Sequence, residues 1–343
     1  MIDLRSDTVT RPTPEMRQAA FDVEVGDDVY GEDESVLKLE ETAAQMLGKE
    51  AALFVTSGTQ GNQIAALTHC NRGDEVLLEA SAHLFLYEGA SMSALAGVQP
   101  RTIEGVRGAM NPQDVRAAIR PDDIHFPETG LICLENTHNK AGGAIVPLEN
   151  MQAIYDIARE HNIPVHLDGA RLFNAVVASG ISVKEYAAQA DTVQFCLSKG
   201  LGAPVGSMIT GSADFIRSAR KWRKRLGGGL RQVGVIAEPG YVALTQMVDR
   251  LAEDHDNARL LAELIEQMAG LRVEGEVDTN IVLVNVADLG LTAEQFLEEV
   301  KKEGVLAVPF GPHTVRFVTH FDVSRQDIID TVDRIMNVSR TCV

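Results

Sequence analysis

Runs of four to six apolar residues recur along the first two-thirds of the chain, at 51–55, 75–78, 131–134, 164–167, 192–197 and 205–210. Such short, unbroken runs predict strands buried on both faces. The stretches between them carry helical patterns, among them 58–69, 111–119 and 147–161. Asn111-Pro112 supplies a helix N-cap followed by proline at the first helical position. Buried strands alternating with helices predict an α/β protein with a mostly parallel central sheet.

Near residue 250 the pattern changes. A long helical segment over 233–269 leads into a strand at 279–286 and a helix at 293–303. Two strands at 305–309 and 314–318 follow, then a last helix at 324–336. This order predicts a small C-terminal α/β domain, 251–343, closing over a large domain, 13–250. The stretches 3–10 and 25–31 read as surface loops. No internal repeat or low-complexity tract interrupts the chain.

Composition narrows the class. With 343 residues and a formal net charge of −18, the chain has no general basic surface for nucleic acid. The one basic cluster, residues 217–225, reads either as a solvated helix face or as a stripe near a buried phosphate or subunit contact. Cys70, Cys133, Cys196 and Cys342 are widely spaced and form no CxxC pair. They predict neither a zinc site nor a disulfide framework, and so a reducing cytoplasm. The first residues are charged at once, unlike a signal peptide. No apolar run reaches the roughly 18 residues of a membrane span. A soluble cytoplasmic protein is expected, with neither nucleic acid nor membrane among its partners.

Chemistry concentrates at the ends of four predicted strands. The run 192–197 leads into Ser198-Lys199-Gly200, and the run 164–167 ends in Asp168-Gly-Ala-Arg171. A lysine and an aspartate placed this way suit pyridoxal phosphate: the amine bonds the cofactor, and the carboxylate keeps the pyridine nitrogen protonated so the ring can accept electrons. An aspartate capping a helix, with Arg171 as its ion-pair partner, is the structural alternative. The third strand, 51–55, enters Ser57-Gly58-Thr59-Gln-Gly61, where helix amides and hydroxyls can hold a phosphate. Alone, that turn is equally a well-capped strand–helix junction, since it matches neither common nucleotide motif. Beside Lys199 and Asp168 it reads as a phosphate cup. His83 follows the 75–78 run and should project into the same crevice, to stack on a flat cofactor or handle a proton. His166 and Asp168 share one strand face, which would suit a metal, but no second ligand pair supports one and none is expected.

The combination of motifs resembles the L-threonine aldolases of low or allo specificity, pyridoxal phosphate enzymes of fold type I. It runs from Asp3-Leu-Arg-Ser-Asp-Thr-Val-Thr-Arg11 and Gly26-Asp-Asp-Val-Tyr-Gly31 through Glu135-Asn-Thr-His-Asn139 and His166-Leu-Asp-Gly-Ala-Arg171. It continues through Cys196-Leu-Ser-Lys-Gly-Leu-Gly-Ala-Pro-Val-Gly206, Gly227-Gly-Gly-Leu-Arg231 and Arg316-Phe-Val-Thr-His320. The resemblance implies that Lys199 carries the cofactor, Asp168 pairs with its ring nitrogen, His83 stacks on the ring, and Ser57, Gly58 and Thr59 take the phosphate. Ser6, Arg171 and Arg316 would hold the substrate carboxylate, making residues 1–12 part of the site, and Arg171 would also contact the cofactor. Tyr30 and Arg231 would reach a neighbouring subunit's site in a homo-oligomer, commonly a dimer of dimers. His125 would sit near the substrate β-hydroxyl. Tyr87, four residues after His83, would share its face if 82–96 is one helix. The implied reaction is retro-aldol cleavage of L-threonine or L-allo-threonine to glycine and acetaldehyde. A β-eliminating amino-acid lyase would share Lys199 and Asp168, and a non-catalytic α/β binding protein would need neither.

Overall fold

The structure, a computed structural model, describes residues 1–342. Seven strands form its central sheet: β1 (Ala51–Val55), β2 (Glu75–Glu79), β3 (Gln99–Ile103), β4 (Thr129–Glu135), β5 (Val165–Asp168), β6 (Thr192–Cys196) and β7 (Ser207–Gly211). Their spatial order is β1-β7-β6-β5-β4-β2-β3. Neighbours from β6 to β3 pair in parallel, while β7 runs antiparallel to both β6 and β1. A loop without a helix, residues 197–206, joins β6 to β7. Parallel pairing needs a crossover of a dozen residues or more, so this short return turns β7 around.

The six apolar runs each supply one strand, and β3 is the addition. Gln99-Pro-Arg-Thr-Ile103 is mostly polar and largely solvated, which suits a sheet edge. An edge strand needs only one apolar face and tolerates a proline. By contrast β2, β6 and β7 are buried along their whole length. The helices Gly58–His69, Pro112–Ala118 and Leu148–Glu160 lie where the pattern put them.

Residues 233–269 are not one helix. They divide into Gly234–Gln246 and Leu251–Ile265. The first half packs Ala237, Ala243 and Leu244 into the main core, and the second packs Ala258, Leu261 and Ile265 into another. Two cores in different directions require the turn between them. The second core belongs to a four-stranded antiparallel sheet of β8 (Arg272–Val273), β9 (Ile281–Asn285), β10 (Val308–Pro309) and β11 (Thr314–Val318), ordered β8-β9-β11-β10. Helices Ala293–Lys302 and Arg325–Cys342 accompany it.

The opening residues are not a surface loop either. Ile2 and Leu4 are buried in this second core, and Ile2–Asp3 pairs in parallel with Val305–Leu306. Beyond Leu4 the chain leaves this core, and Asp7 is fully buried against Arg171. Nor is 82–96 a single helix. A short helix, His83–Leu86, and a second, Met92–Ala96, are separated by Gly89 and Ala90, both at positive φ.

Candidate active site

Because β1, β2, β4, β5 and β6 all point the same way, their carboxyl ends open onto one edge of the sheet. Ligands of open α/β sheets bind along such an edge. The loops there carry Ser57, Gly58 and Thr59 after β1, His83 after β2, Asn139 after β4, Arg171 after β5 and Lys199 after β6. Glu135, the last residue of β4, ties two of these loops together. Its carboxylate accepts from the backbone N–H of His83 at 2.6 Å and of Asn139 at 2.8 Å.

A cavity of about 200 Å³ forms the inner half of the site, walled by Gly58, Thr59, His83, Asp168 and Lys199. Asp168 is 1 % exposed. It accepts from Ala170 N at 3.0 Å and from the Asn62 amide at 2.9 Å. The orientation of the Gln194 amide that satisfies both of its ends adds a third donor at 2.9 Å. The carboxylate is therefore held rigidly by three donors. His83 donates from Nδ1 to the buried Glu88 carboxylate at 3.1 Å. Burial works against a charge on His83, but the Glu88 hydrogen bond and the charge of Asp168 prevail and raise its pKa.

The first turn of helix Gly58–His69 closes the far side. Ser57 caps it by accepting from Gln60 N at 3.1 Å. Among the described residues, the N–H groups of Gly58 and Thr59 have no acceptor, as expected of a helix start that can receive an anion. A Cβ on Gly58 would stand 3.0 Å from both Cys196 Sγ and the Gln194 amide, so glycine allows the close packing there. An amine, a buried carboxylate, an imidazole and a helix start around one cavity fit the donor set of pyridoxal phosphate, residue by residue.

The outer half is a cavity of about 390 Å³ that shares His83 and Lys199 and adds Ser6, Tyr87, Arg171 and Arg316. The two arginines differ. Arg171 is already paired, donating from Nε and Nη2 to the two Asp7 oxygens at 2.8 and 2.6 Å. Burial pushes the Asp7 carboxyl up, yet the Arg171 charge and hydrogen bond hold it well below its usual range. Arg316 has no carboxylate partner among the described residues. It donates to Asn139 Oδ1 at 3.0 Å and to Arg5 O at 3.3 Å, and its buried Nε has no acceptor. Burial and the neighbouring Arg171 lower its pKa to about 10, which still leaves it charged at neutral pH. Arg171 Nη1 reaches the same Asn139 oxygen at 3.5 Å, so this oxygen marks where the two guanidinium groups converge. Tyr87 packs against His83 with ring centroids 5.6 Å apart, although the helix that would have aligned them has ended.

Three expected residues lie apart from these cavities. His125 is largely exposed and pairs with Asp123 at 2.7 Å. Tyr30 is 76 % exposed. Arg231 is exposed too and bonds Asp27 at 3.2 Å, on the loop that carries Tyr30. In the basic cluster, Arg220 and Arg223 turn inward to Glu40 and Asp28 rather than to a phosphate.

Four residues that touch the site received no role from the sequence, although Asp7 and Asn139 lie inside the motifs that carry the resemblance. Asn62, Glu88, Asn139 and Asp7 are buried or half-buried polar side chains on segments that read as helix surface or loop. Only Asn62, four residues beyond the Gly58 turn and on its helix face, could have been found by spacing.

The beta-eliminating lyase family profile matches residues 3–289. The chain is 45% identical over 333 residues to low-specificity L-threonine aldolase 1 of Arabidopsis thaliana, covering 95% of this chain and 93% of that one. It is 46% identical over 331 residues to the low specificity L-threonine aldolase of Escherichia coli K12, covering 96% and 97%. The threonine aldolase structure of Leishmania major superposes with a TM-score of 0.86 at 18% identity, covering 99% of this chain and 100% of that one. That last likeness speaks for the fold.

Proposed function

The chain belongs to the beta-eliminating lyase family, among its low-specificity L-threonine aldolases, and on that premise we propose how its residues carry the reaction. It is a pyridoxal phosphate-dependent aldolase that cleaves L-threonine and L-allo-threonine to glycine and acetaldehyde. The bound cofactor supplies an electron sink for the pair of electrons left when the Cα–Cβ bond breaks.

Lys199 would hold the cofactor through its amine. Asp168 would keep the ring nitrogen protonated, and Ser57, Gly58 and Thr59 would receive the phosphate at the helix start. His83 would cover the ring. Arg316 takes the substrate carboxylate, with Asn139 and Ser6 beside it, and Arg171 completes the cradle from its fixed place on Asp7. A carboxylate held at the mouth orients Cα, and that orientation selects which bond breaks. His83, or a water it orients, takes the β-hydroxyl proton. The observation that carries this reading is the unpaired, half-buried guanidinium of Arg316 opening onto the cavity that Lys199 and His83 share.

The assembly is proposed to be a homo-oligomer, a dimer of dimers. Phe21 and Leu37 are exposed on two helices that both pack on the helix carrying exposed Val235, and Val25, Val29 and Tyr30 are exposed on the loop joining those two. Apolar surface of that kind marks contact sites. Tyr30, Arg231 and His125 would then serve a neighbouring subunit. Within the described residues no helix is long and apolar enough to cross a membrane, and we place the enzyme in the cytoplasm. The deciding experiment supplies each threonine diastereomer to the purified holoenzyme. Equal yields of acetaldehyde and glycine are expected; ammonia and a keto acid in their place would mean β-elimination.

A further inference from the structure

Two buried carboxylates share the pocket floor. One oxygen of Glu88, one of Asp168 and a ring nitrogen of His83 all lie within 4.8 Å of one another. Like charges so close and out of water repel each other unless donors stand between them. A single side chain reaches both. The Asn62 amide, 2 % exposed, donates to Glu88 Oε1 at 2.8 Å and to Asp168 Oδ2 at 2.9 Å.

The direction of this amide is set from behind. With its nitrogen facing two acceptors, its oxygen must accept, and it does so from His166 Nε2 at 3.0 Å. His166 then has a bare Nδ1, which accepts from the Thr192 hydroxyl at 2.9 Å. The hydroxyl oxygen in turn accepts from His69 Nε2 at 3.1 Å. Burial lowers the pKa of His166 to about 3 and of His69 to about 4, so neither protonates in the neutral range and the chain of donors keeps its direction. His69 is stacked on Phe215, centroids 4.8 Å apart. On the other side, Gln63 donates to the second Glu88 oxygen at 2.6 Å.

We propose that Asn62 is a positioning residue that divides the two carboxylates between two partners: Asp168 for the protonated ring nitrogen of the cofactor, and Glu88 for the Nδ1–H of His83. The Asn62 donors stabilise both anions at once, so neither captures the proton meant for the other's partner. His83 is thereby held with Nδ1 inward and Nε2 toward the substrate. The charged and titratable groups around this cluster are His83, Glu88, Asp168, Lys199, Cys133, Glu135, His138, His166 and Tyr87. The inference rests on the site being a pyridoxal phosphate pocket.

The test is a pH titration of the holoenzyme by nitrogen NMR, using cofactor isotope-labelled at the ring nitrogen and labelled histidine, with His83 assigned from His83→Asn. Wild type should keep its ring nitrogen protonated through the neutral range. In Asn62→Ala the midpoint for losing that proton should fall by about one pH unit or more. Adding Glu88→Gln to Asn62→Ala should restore the wild-type midpoint, because the competing anion is gone. A residue that merely fills space would not be rescued by a second loss. Glu88→Gln alone should leave the ring nitrogen protonated and lower the His83 titration by about one unit. An Asn62→Ala protein with both titrations unchanged, or a double variant no better than the single one, overturns the proposal. If Asn62→Ala does not fold, Asn62→Ser, which keeps one donor, should show a smaller shift of the same sign; no shift there is equally fatal. A wild-type ring nitrogen found unprotonated would instead sink the cofactor reading.

Discussion

At the floor of the pocket Asp168 and Glu88 are surrounded by donors, whereas at the mouth Arg316 keeps a buried Nε with no acceptor. The floor comes from consecutive strand ends of one sheet and is complete before any ligand arrives. The mouth is assembled from the N-terminal segment, the loop after β4 and the strand β11, which meet only when the two cores pack. A preformed floor suits a cofactor that must be held in one electronic state. An incompletely paired mouth suits a substrate that comes and goes, since the ligand supplies the missing acceptor. Arg171 stands between the two, a buried cation already neutralised by Asp7.

The largest effect should come from removing the floor's amine. Lys199→Ala is expected to abolish acetaldehyde release while circular dichroism and the melting temperature stay close to wild type, since no core packing depends on that side chain. Turnover near the wild-type rate would remove Lys199 from the chemistry. Asp168→Asn should follow, with kcat down by about a hundredfold or more and the fold retained. An unchanged kcat would leave Asp168 a structural cap.

The two arginines separate floor-like from mouth-like behaviour. Arg171→Met strands Asp7 as a buried unpaired charge and should cost about 3–5 kcal/mol of stability, read by denaturant unfolding. Arg316→Met breaks no ion pair, so stability should barely change while KM rises about tenfold or more. Arg316→Lys should recover only part of that loss, lacking the planar fork. If Arg316→Met unfolds as readily as Arg171→Met, the contrast between the regions is wrong.

The Asp7–Arg171 pair should make stability sensitive to acid and not to pH near neutrality. The folded-state pKa of Asp7 lies below its ordinary value, so its stabilisation is present above about pH 4 and is lost as pH falls further. The acid limb of the stability–pH curve should therefore be steeper in wild type than in Asp7→Asn, and equal slopes would mean the pair contributes nothing.

The smallest effect is expected at Tyr87. Its ring lies against His83 at the mouth, where the two threonine diastereomers differ by the placement of one methyl and one hydroxyl. Such contacts are worth about 1–3 kcal/mol at most. Tyr87→Phe should shift the ratio of kcat/KM for the two substrates by a few-fold, more than it changes their mean. Equal losses on both would make Tyr87 a packing residue.

How much of this was readable in the chain follows from how local each signal is. Six sheet strands, the helices after them and the trio Lys199, Asp168 and Gly58 are written in contiguous segments, because a buried parallel strand must be apolar and its ligand-facing residue must come just after it. Those segments determined the fold class and the kind of chemistry. The edge strand β3 was hidden because a half-solvated strand has no continuous apolar run. The break at 247–250 was hidden because helical periodicity is indifferent to which core each half will enter. Asp7 on Arg171, Asn139 between two guanidinium groups, and Asn62 between two carboxylates are contacts across scores of residues or more. Apart from the spacing of Asn62 from the Gly58 turn, nothing local distinguishes those side chains from solvated ones. Packing around the main sheet removed the water from Asn62, and the meeting of the two cores removed it from Asp7 and Asn139, which decided which arginine is paired with a carboxylate and which is not.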